Sequence, residues 1–234
     1  MAEKLTRRGF GLLTAAGGLA AHPIAAPANG DIDLTGALAR IEAGSGGRLG
    51  VSITDTGSGH RAGHRQTARF PMCSTFKVLA CGAVLSRVDQ GIETLDRRIR
   101  FSAADLVTYS PVTKDRVGGD GMTLAELCAA AMTRSDNTAG NLILARLGGP
   151  QAVTAFARAL GDGMTRLDRT ETALNEAAPG DPRDTTTPDS MAADLHALAL
   201  GDRHHVLNKG EICFTGSSAE LESNEFVLST YLSV

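Results

Sequence analysis

Residues 71–85, PMCSTFKVLACGAVL, place Ser74 and Lys77 three apart at the start of an apolar run. On a helix that spacing puts both side chains on one face, with Cβ atoms ~5–6 Å apart. A serine hydroxyl is a poor nucleophile until a base takes its proton. A lysine acts as that base when burial and neighbouring charges lower its pKa. Ser74 is also expected to begin its helix, where free N–H groups and the dipole favour a developing oxyanion. The pattern alone is weak. Average residue usage produces Ser-x-x-Lys in roughly half of chains this long, and most instances are a surface lysine beside a helix cap.

Two further groups sharpen it. Ser135-Asp136-Asn137 falls between two predicted helices. A serine there can relay a proton to a leaving nitrogen, and Asn137 can hold an amide carbonyl. All three residue types are also good N-caps, so an ordinary helix start is the plain alternative. Glu171 and Asn175, four apart in a loop, can hold one water between them. The carboxylate would deprotonate that water for attack on an acyl-enzyme. Taken singly, a loop glutamate is a solvated charge.

The elements that must position these residues are legible in outline. LTGALARIEAGSGG has helical spacing at Leu34, Leu38 and Ile41 and stops at Gly44. LGVSITDTGSGHRAGHR reads as two strands around a Gly-Ser-Gly turn. Ser74 to Gln90 reads as a helix closed by Gly91. Thr123-Leu-Ala-Glu126 is a capping box ahead of another. GNLILARLGG and PQAVTAFARALG are two more helices ending in glycine, and MAADLHALAL restores helical spacing further on. Residues 166–188 have no clean period and several prolines, which predicts a long surface loop of the kind that carries function. After about residue 201 alanine and arginine nearly vanish, leaving Ala219 and Arg203. Residues 201–234 therefore read as a divergent tail, with EICFTG and FVLSTYLSV as its strand-like pieces.

A formal net charge of −3 gives no electrostatic reason to expect nucleic acid or an anionic membrane as partner. With no tryptophan, a base-stacking platform is unexpected too. The first residues read as an export signal spanning 1–28. Arg7 and Arg8 form a twin-arginine pair, GLLTAAGGLAA is a short apolar core, and Ala26-Pro27-Ala28 is a cleavage site. That run is shorter than the ~18 residues a permanent anchor needs, so an exported, periplasmic protein is expected. Cys73 and Cys81 stand roughly 12 Å apart along one helix, too far to bridge. Cys128 reads as a small core residue, and no disulfide framework emerges.

In order along the chain, STFK, SDN and ExxLN resemble the class A serine β-lactamases. DLVTYSPVT, residues 105–113, is similar to the family's loop bearing a substrate-flanking tyrosine, here Tyr109. RLDRTETALNEAAPGDPRDTTTP resembles its omega loop, with Arg169 and Asp184 as the closing ion pair. The likeness runs from about residue 31 to 200, so residues 29–200 are expected to form the catalytic domain. It implies an α/β (α+β) fold in which a helical domain packs against an antiparallel sheet. It implies that Ser74 attacks a β-lactam carbonyl, that Lys77 takes part as base, and that Ser135 passes a proton to the lactam nitrogen. Glu171 and Asn175 then position the deacylating water, while Asn137 and Tyr109 contact substrate. No metal or organic cofactor is implied. The partner is a small β-lactam, with no nucleic acid and no membrane, and the protein is expected to be a monomer.

The departures fall after the loop. The family carries a Lys-Thr/Ser-Gly strand there, whose lysine binds the substrate carboxylate and beside which a backbone N–H supplies half of the oxyanion hole. Asn208-Lys209-Gly210 lacks the hydroxyl residue and Phe214-Thr215-Gly216 lacks the lysine. By analogy three core sheet strands and the last helix of the family also belong there. Only EICFTG and FVLSTYLSV stand in their place, so the C-terminal strands read as missing or replaced and the catalytic domain as incomplete. In some members the cysteine before the nucleophile pairs with one beyond that strand. Only Cys213 could take that place opposite Cys73. Thr172 stands where the family commonly has proline. These differences leave other readings open: an inactive remnant, a penicillin-binding sensor that stays acylated, or a peptidoglycan transpeptidase or carboxypeptidase. Glu171 and Asn175 argue against the last two. A zinc site from His196, His204, His205 and Cys213 is a remote alternative.

Overall fold

The computed structural model describes residues 33–200, 204–208 and 211–232, so the predicted export signal lies outside the described residues. The chain opens with α1 (Leu34–Ser45), then the antiparallel hairpin β1 (Val51–Thr54) and β2 (Arg61–His64), in which Val51 pairs with His64 and Thr54 with Arg61. β3 (Phe70–Pro71) leads into the tight turn that carries Ser74. α2 (Phe76–Asp89) follows, then β4 (Arg98–Ile99), β5 (Met122–Thr123), α3 (Leu124–Arg134), α4 (Asn137–Leu147) and α5 (Pro150–Ala159). β6 (Thr185–Thr186) returns to pair with β3, and α6 (Pro188–Ala199) comes next.

Capping sets the boundaries. The Thr123–Glu126 box is present in full: Thr123 Oγ1 accepts from Glu126 N, and Glu126 accepts from Thr123 N. Such a cap contributes about 1 kcal/mol. α4 starts at Asn137, capped by Asp136, and stops at Gly148, whose φ of 101° suits glycine alone. α5 has Pro150 in its first turn, where its missing N–H costs nothing.

The core lies among α2, α3, α4 and α5. Phe76, Leu79, Leu124, Leu127, Ile143, Leu144 and Val153 are fully buried there. Each such side chain contributes roughly 1.5–3 kcal/mol by leaving water. α6 closes over α2 at Gly82, where a Cβ would stand 2.9 Å from Leu198. Cys81 of α2 and Cys128 of α3 are buried free thiols in mutual contact, and the hydrogen bond to Cys128 together with burial pushes the Cys81 thiol up. Cys73 is free and exposed.

In the predicted tail, β7 (His204–Asn208) pairs antiparallel with β8 (Glu211–Gly216), with a register shift between Val206 and Leu207. The strand expected at EICFTG is thus β8. FVLSTYLSV is not a strand. α7 (Ser218–Ser223) is followed by the short α8 (Glu225–Val227) and a π turn over Leu228–Leu232. Asn224 Oδ1 accepts from Val227 N and starts that turn, so a local cap overrides the β propensity of the residues after it. The side chains of His204, His205 and Cys213 lie outside the described residues.

Candidate active site

Ser74 is half-buried, not the first residue of α2 but in a 3-10 turn just before it, Cys73–Thr75. Cys73 adopts φ 45°, and Met72 O accepts both Thr75 N (3.0 Å) and Thr75 Oγ1 (2.7 Å). Those two bonds tighten the turn and delay the α-helix to Phe76. The expected i, i+3 relation survives, because a 3-10 turn also brings residues three apart together.

Lys77, in the first turn of α2, is buried. Its Nζ lies 3.1 Å from Ser74 Oγ, 2.8 Å from Ser135 O, 3.1 Å from Ser135 Oγ, 2.7 Å from Asn137 Oδ1 and 3.3 Å from Glu171 Oε1. Burial pushes the Lys77 ammonium below the ordinary lysine range, while Glu171 and Asp136 pull it back up. Glycine at 140 leaves room for the stem: a Cβ there would sit 3.1 Å from Lys77 Cε.

Ser135 ends α3 in a left-handed conformation, φ 51°, and so turns its hydroxyl and carbonyl onto the lysine. Asp136, fully buried, fixes that junction. Its carboxylate accepts from Ala139 N (2.8 Å), Val112 N (2.9 Å), Thr113 N (2.9 Å) and Thr113 Oγ1 (2.9 Å). Asp136→Ala would strip the acceptor from all four donors, each unsatisfied group costing ~1–3 kcal/mol. A loss of at least about 3 kcal/mol in urea unfolding is expected, and a loss under 1 kcal/mol would contradict this role.

Asn137 Nδ2 donates to Thr108 O at 2.9 Å, which leaves one amide proton for a ligand carbonyl. Its backbone N–H donates to Tyr109 O at 3.0 Å, so the loop before α3 rests against α4. Tyr109 is exposed at the rim, with φ 65°.

Across the cleft, the predicted loop holds a short 3-10 turn, Ala173–Asn175, pinned by buried Leu174. Asn175 Nδ2 donates to Glu171 Oε2 at 2.6 Å, and the Glu171 side chain is fully buried. Arg169 and Asp184 pair as expected, Nε to Oδ2 at 2.5 Å. Asp184 does more than close the loop. Its Oδ1 accepts from Asp168 N (2.8 Å) and Arg169 N (2.9 Å), and its carbonyl accepts from Met72 N (2.9 Å) beside the Ser74 turn.

One residue escaped the sequence reading. Asn141 grips the backbone of Glu171 from both sides, accepting from Glu171 N at 2.8 Å and donating to Glu171 O at 2.9 Å. It stands four residues after Asn137 on α4, and that spacing on one helix face was the available signal. The structure thus brings together Ser74, Lys77, Ser135, Asn137, Glu171 and Asn175, with Tyr109 at the edge. Among the described residues, no cluster of three or more His, Cys, Asp or Glu side chains is placed to hold a metal.

Comparison with known proteins places the chain in one family. A model of the "Beta-lactamase enzyme family" matches residues 33–211. Beta-lactamase AST-1 of Nocardia asteroides is 58% identical over 165 residues, 70% of this chain and 53% of its own length. An ancestral class A β-lactamase structure, reconstructed for Gram-negative bacteria, is 64% identical with a TM-score of 0.71. That match covers 72% of this chain and 65% of the ancestral one. The chain therefore spans about half the length of the curated relative and under two thirds of the ancestral structure. On its fold and on a match over three quarters of its residues, the chain belongs to the β-lactamase enzyme family, on the class A side.

Proposed function

We propose that this chain carries the centre of a serine β-lactamase, opening β-lactams by acylation of Ser74 and clearing the adduct with water. The observation that carries this reading is the position of Lys77 Nζ, in contact with Ser74, Ser135 and Glu171 at once. Burial favours the neutral amine, which accepts the Ser74 proton as Oγ attacks the lactam carbonyl. Glu171, against Lys77, is the alternative sink for that proton. Ser135 then delivers a proton to the lactam nitrogen as the C–N bond breaks, leaving an ester on Ser74. Glu171, held by Asn175, takes a proton from water attacking that ester, and Ser74 leaves with its proton restored.

Two features distinguish this centre from one that acylates and stops. Asn141 and Asn175 hold Glu171 at backbone and side chain, which suits a group that must stay aligned through a second step. The loop behind it is closed by Arg169 and Asp184.

The test is hydrolysis of a chromogenic cephalosporin by the purified 234-residue chain. No Lys-Thr-Gly or Lys-Ser-Gly triplet occurs in these residues, and one lost oxyanion donor typically costs ~100–1,000-fold in turnover. Hydrolysis is expected above the buffer rate and below that of a class A relative by about that factor. A folded chain showing neither turnover nor a covalent adduct would overturn the proposal.

A further inference from the structure

Away from the catalytic cleft, two carboxyl groups, Asp162 and Asp194, come within hydrogen-bonding reach of each other in the interior. Asp162, in the turn after α5, is 7% exposed, and Asp194, in the middle of α6, is 1% exposed. The Asp162 carboxylate accepts from Met164 N at 2.6 Å and from Thr165 N at 3.2 Å. Among the described residues, Asp194 Oδ2 is buried with no hydrogen-bond partner. Two negative charges in such a place repel strongly, and each also loses its hydration.

The pair sits at a junction that matters to the loop. Thr165 Oγ1 shares a hydrogen bond with Thr186 Oγ1 at 2.6 Å, and Arg166 N donates to Thr185 O at 3.0 Å. These contacts are the neck of the loop carrying Glu171. Asp162 fixes one side of the neck through the amides of Met164 and Thr165. Asp194 belongs to the helix that leaves the other side.

We propose that Asp162 and Asp194 share a single proton, and that this proton fastens the neck of the loop to α6. When the proton leaves, two carboxylates face each other in the interior and the neck loosens. The proposal concerns the fold of the chain and stands whether or not the chain hydrolyses β-lactams.

The surrounding charges support it. Burial, and then the charge of Asp162, push Asp194 up to about 7. Burial opposes the charge on Asp162 too, but hydrogen bonds from Thr165 and Met164 outweigh it and hold that carboxyl below its ordinary range. Asp194 is therefore the donor and Asp162 the acceptor. Arg158 of α5 is the compensating cation, and it is already committed through Nη1 to Asp162 O (2.5 Å) and Thr165 O (2.8 Å). Ser190 of α6 adds a hydrogen bond to Asp162. β1, packed along α6, has no ionisable residue and meets it through Ser52 on Asp189.

The direction of the pH effect follows. A group whose pKa is raised on folding stabilises the fold fully below its unfolded pKa, ~3.9 for an aspartate, and loses that contribution as pH rises through the folded value. Resistance to unfolding should therefore decline from about pH 4 up to about 7, the folded value of Asp194, and level off above it.

The experiment records thermal unfolding of the 234-residue chain from pH 5.5 to 8.5, beside Asp194→Asn. The amide donates to Asp162 as the acid does but cannot titrate. The unsubstituted chain should lose Tm from pH 5.5 up to about 7 and level off above that, and D194N should be flat over the same range. At pH 8, peptides spanning residues 163–187 should exchange amide hydrogens about tenfold faster in the unsubstituted chain than in D194N, one pH unit being a factor of ten in protonation. Parallel Tm curves, or equal exchange at pH 8, would overturn the proposal. Should D194N fail to fold, infrared difference spectra of the unsubstituted chain decide: a protonated carboxyl band lost near pH 7 supports the shared proton, and its absence at pH 6 refutes it.

Discussion

Ser74→Ala should eliminate β-lactam hydrolysis, on the order of a million-fold where the parent rate allows that range to be measured. In the proposed mechanism the hydroxyl oxygen is the bond-forming atom, and among the described residues no other nucleophile of the cleft stands beside Lys77 Nζ in the same way. Ser135 Oγ lies equally near the amine, but its hydroxyl belongs to the left-handed end of α3, across the lysine from the turn of Ser74. Stability should change little, because among the described residues the only side-chain hydrogen bond of Ser74 is the one to Lys77. The readout is hydrolysis of a chromogenic cephalosporin with Tm as a control. Activity persisting in a well-folded Ser74→Ala chain would remove the serine from the mechanism.

Glu171→Ala is expected to separate the two halves of the reaction. Removing this carboxylate takes away an interaction that raises the Lys77 pKa, so the amine is driven further toward its neutral form and acylation can continue. Deacylation loses its base, a change worth about 10²–10⁴ in rate. Intact-protein mass spectrometry after mixing with a penicillin should show an adduct on Ser74 that persists for minutes to hours. If the adduct clears as fast as in the parent, Glu171 is not the base. If no adduct forms, Glu171 is needed for the first step as well.

Local chemistry was the most legible part of the fold. The Thr123–Glu126 box and Asp136 as N-cap rest on interactions within four residues, so the sequence states them directly. The β1–β2 hairpin followed from turn residues between two short strands. The turn at Ser74 was harder to read, because a non-glycine residue with positive φ, Cys73, leaves no mark in composition. Ser135 and Tyr109 adopt the same region of φ and are held by hydrogen bonds from residues distant in the chain, Lys77 Nζ on Ser135 O and Asn137 N on Tyr109 O. Such positions are stabilised by their surroundings and not by their own preferences. FVLSTYLSV failed for a related reason: Val, Leu, Thr and Tyr favour strands only when a neighbouring strand is there to pair with them.

The site was legible where a motif repeats a family pattern, and silent where a residue acts on backbone. Lys77, Glu171 and Asn175 follow from side-chain chemistry. Asn141 acts on the peptide groups of Glu171, and an asparagine in a helix carries no hint of which backbone it will hold. The Asp162–Asp194 pair was invisible because its members meet across 32 positions of sequence. The contact between Cys81 and Cys128 is similar: each reads as a core residue, and only the α2–α3 packing brings them together.

The Lys77 ammonium has three hydrogens, while five oxygens stand within 3.3 Å of it. No single orientation serves them all, so the group is over-subscribed, and rotating about its terminal bond exchanges one set of partners for another. In the proposed mechanism, a proton carrier gains from that freedom. It can turn from the nucleophile toward the leaving nitrogen's donor without first breaking free of a preferred acceptor. Lysine at this position is therefore better seen as a swivel than as a fixed base, and its neighbours set the number of stops.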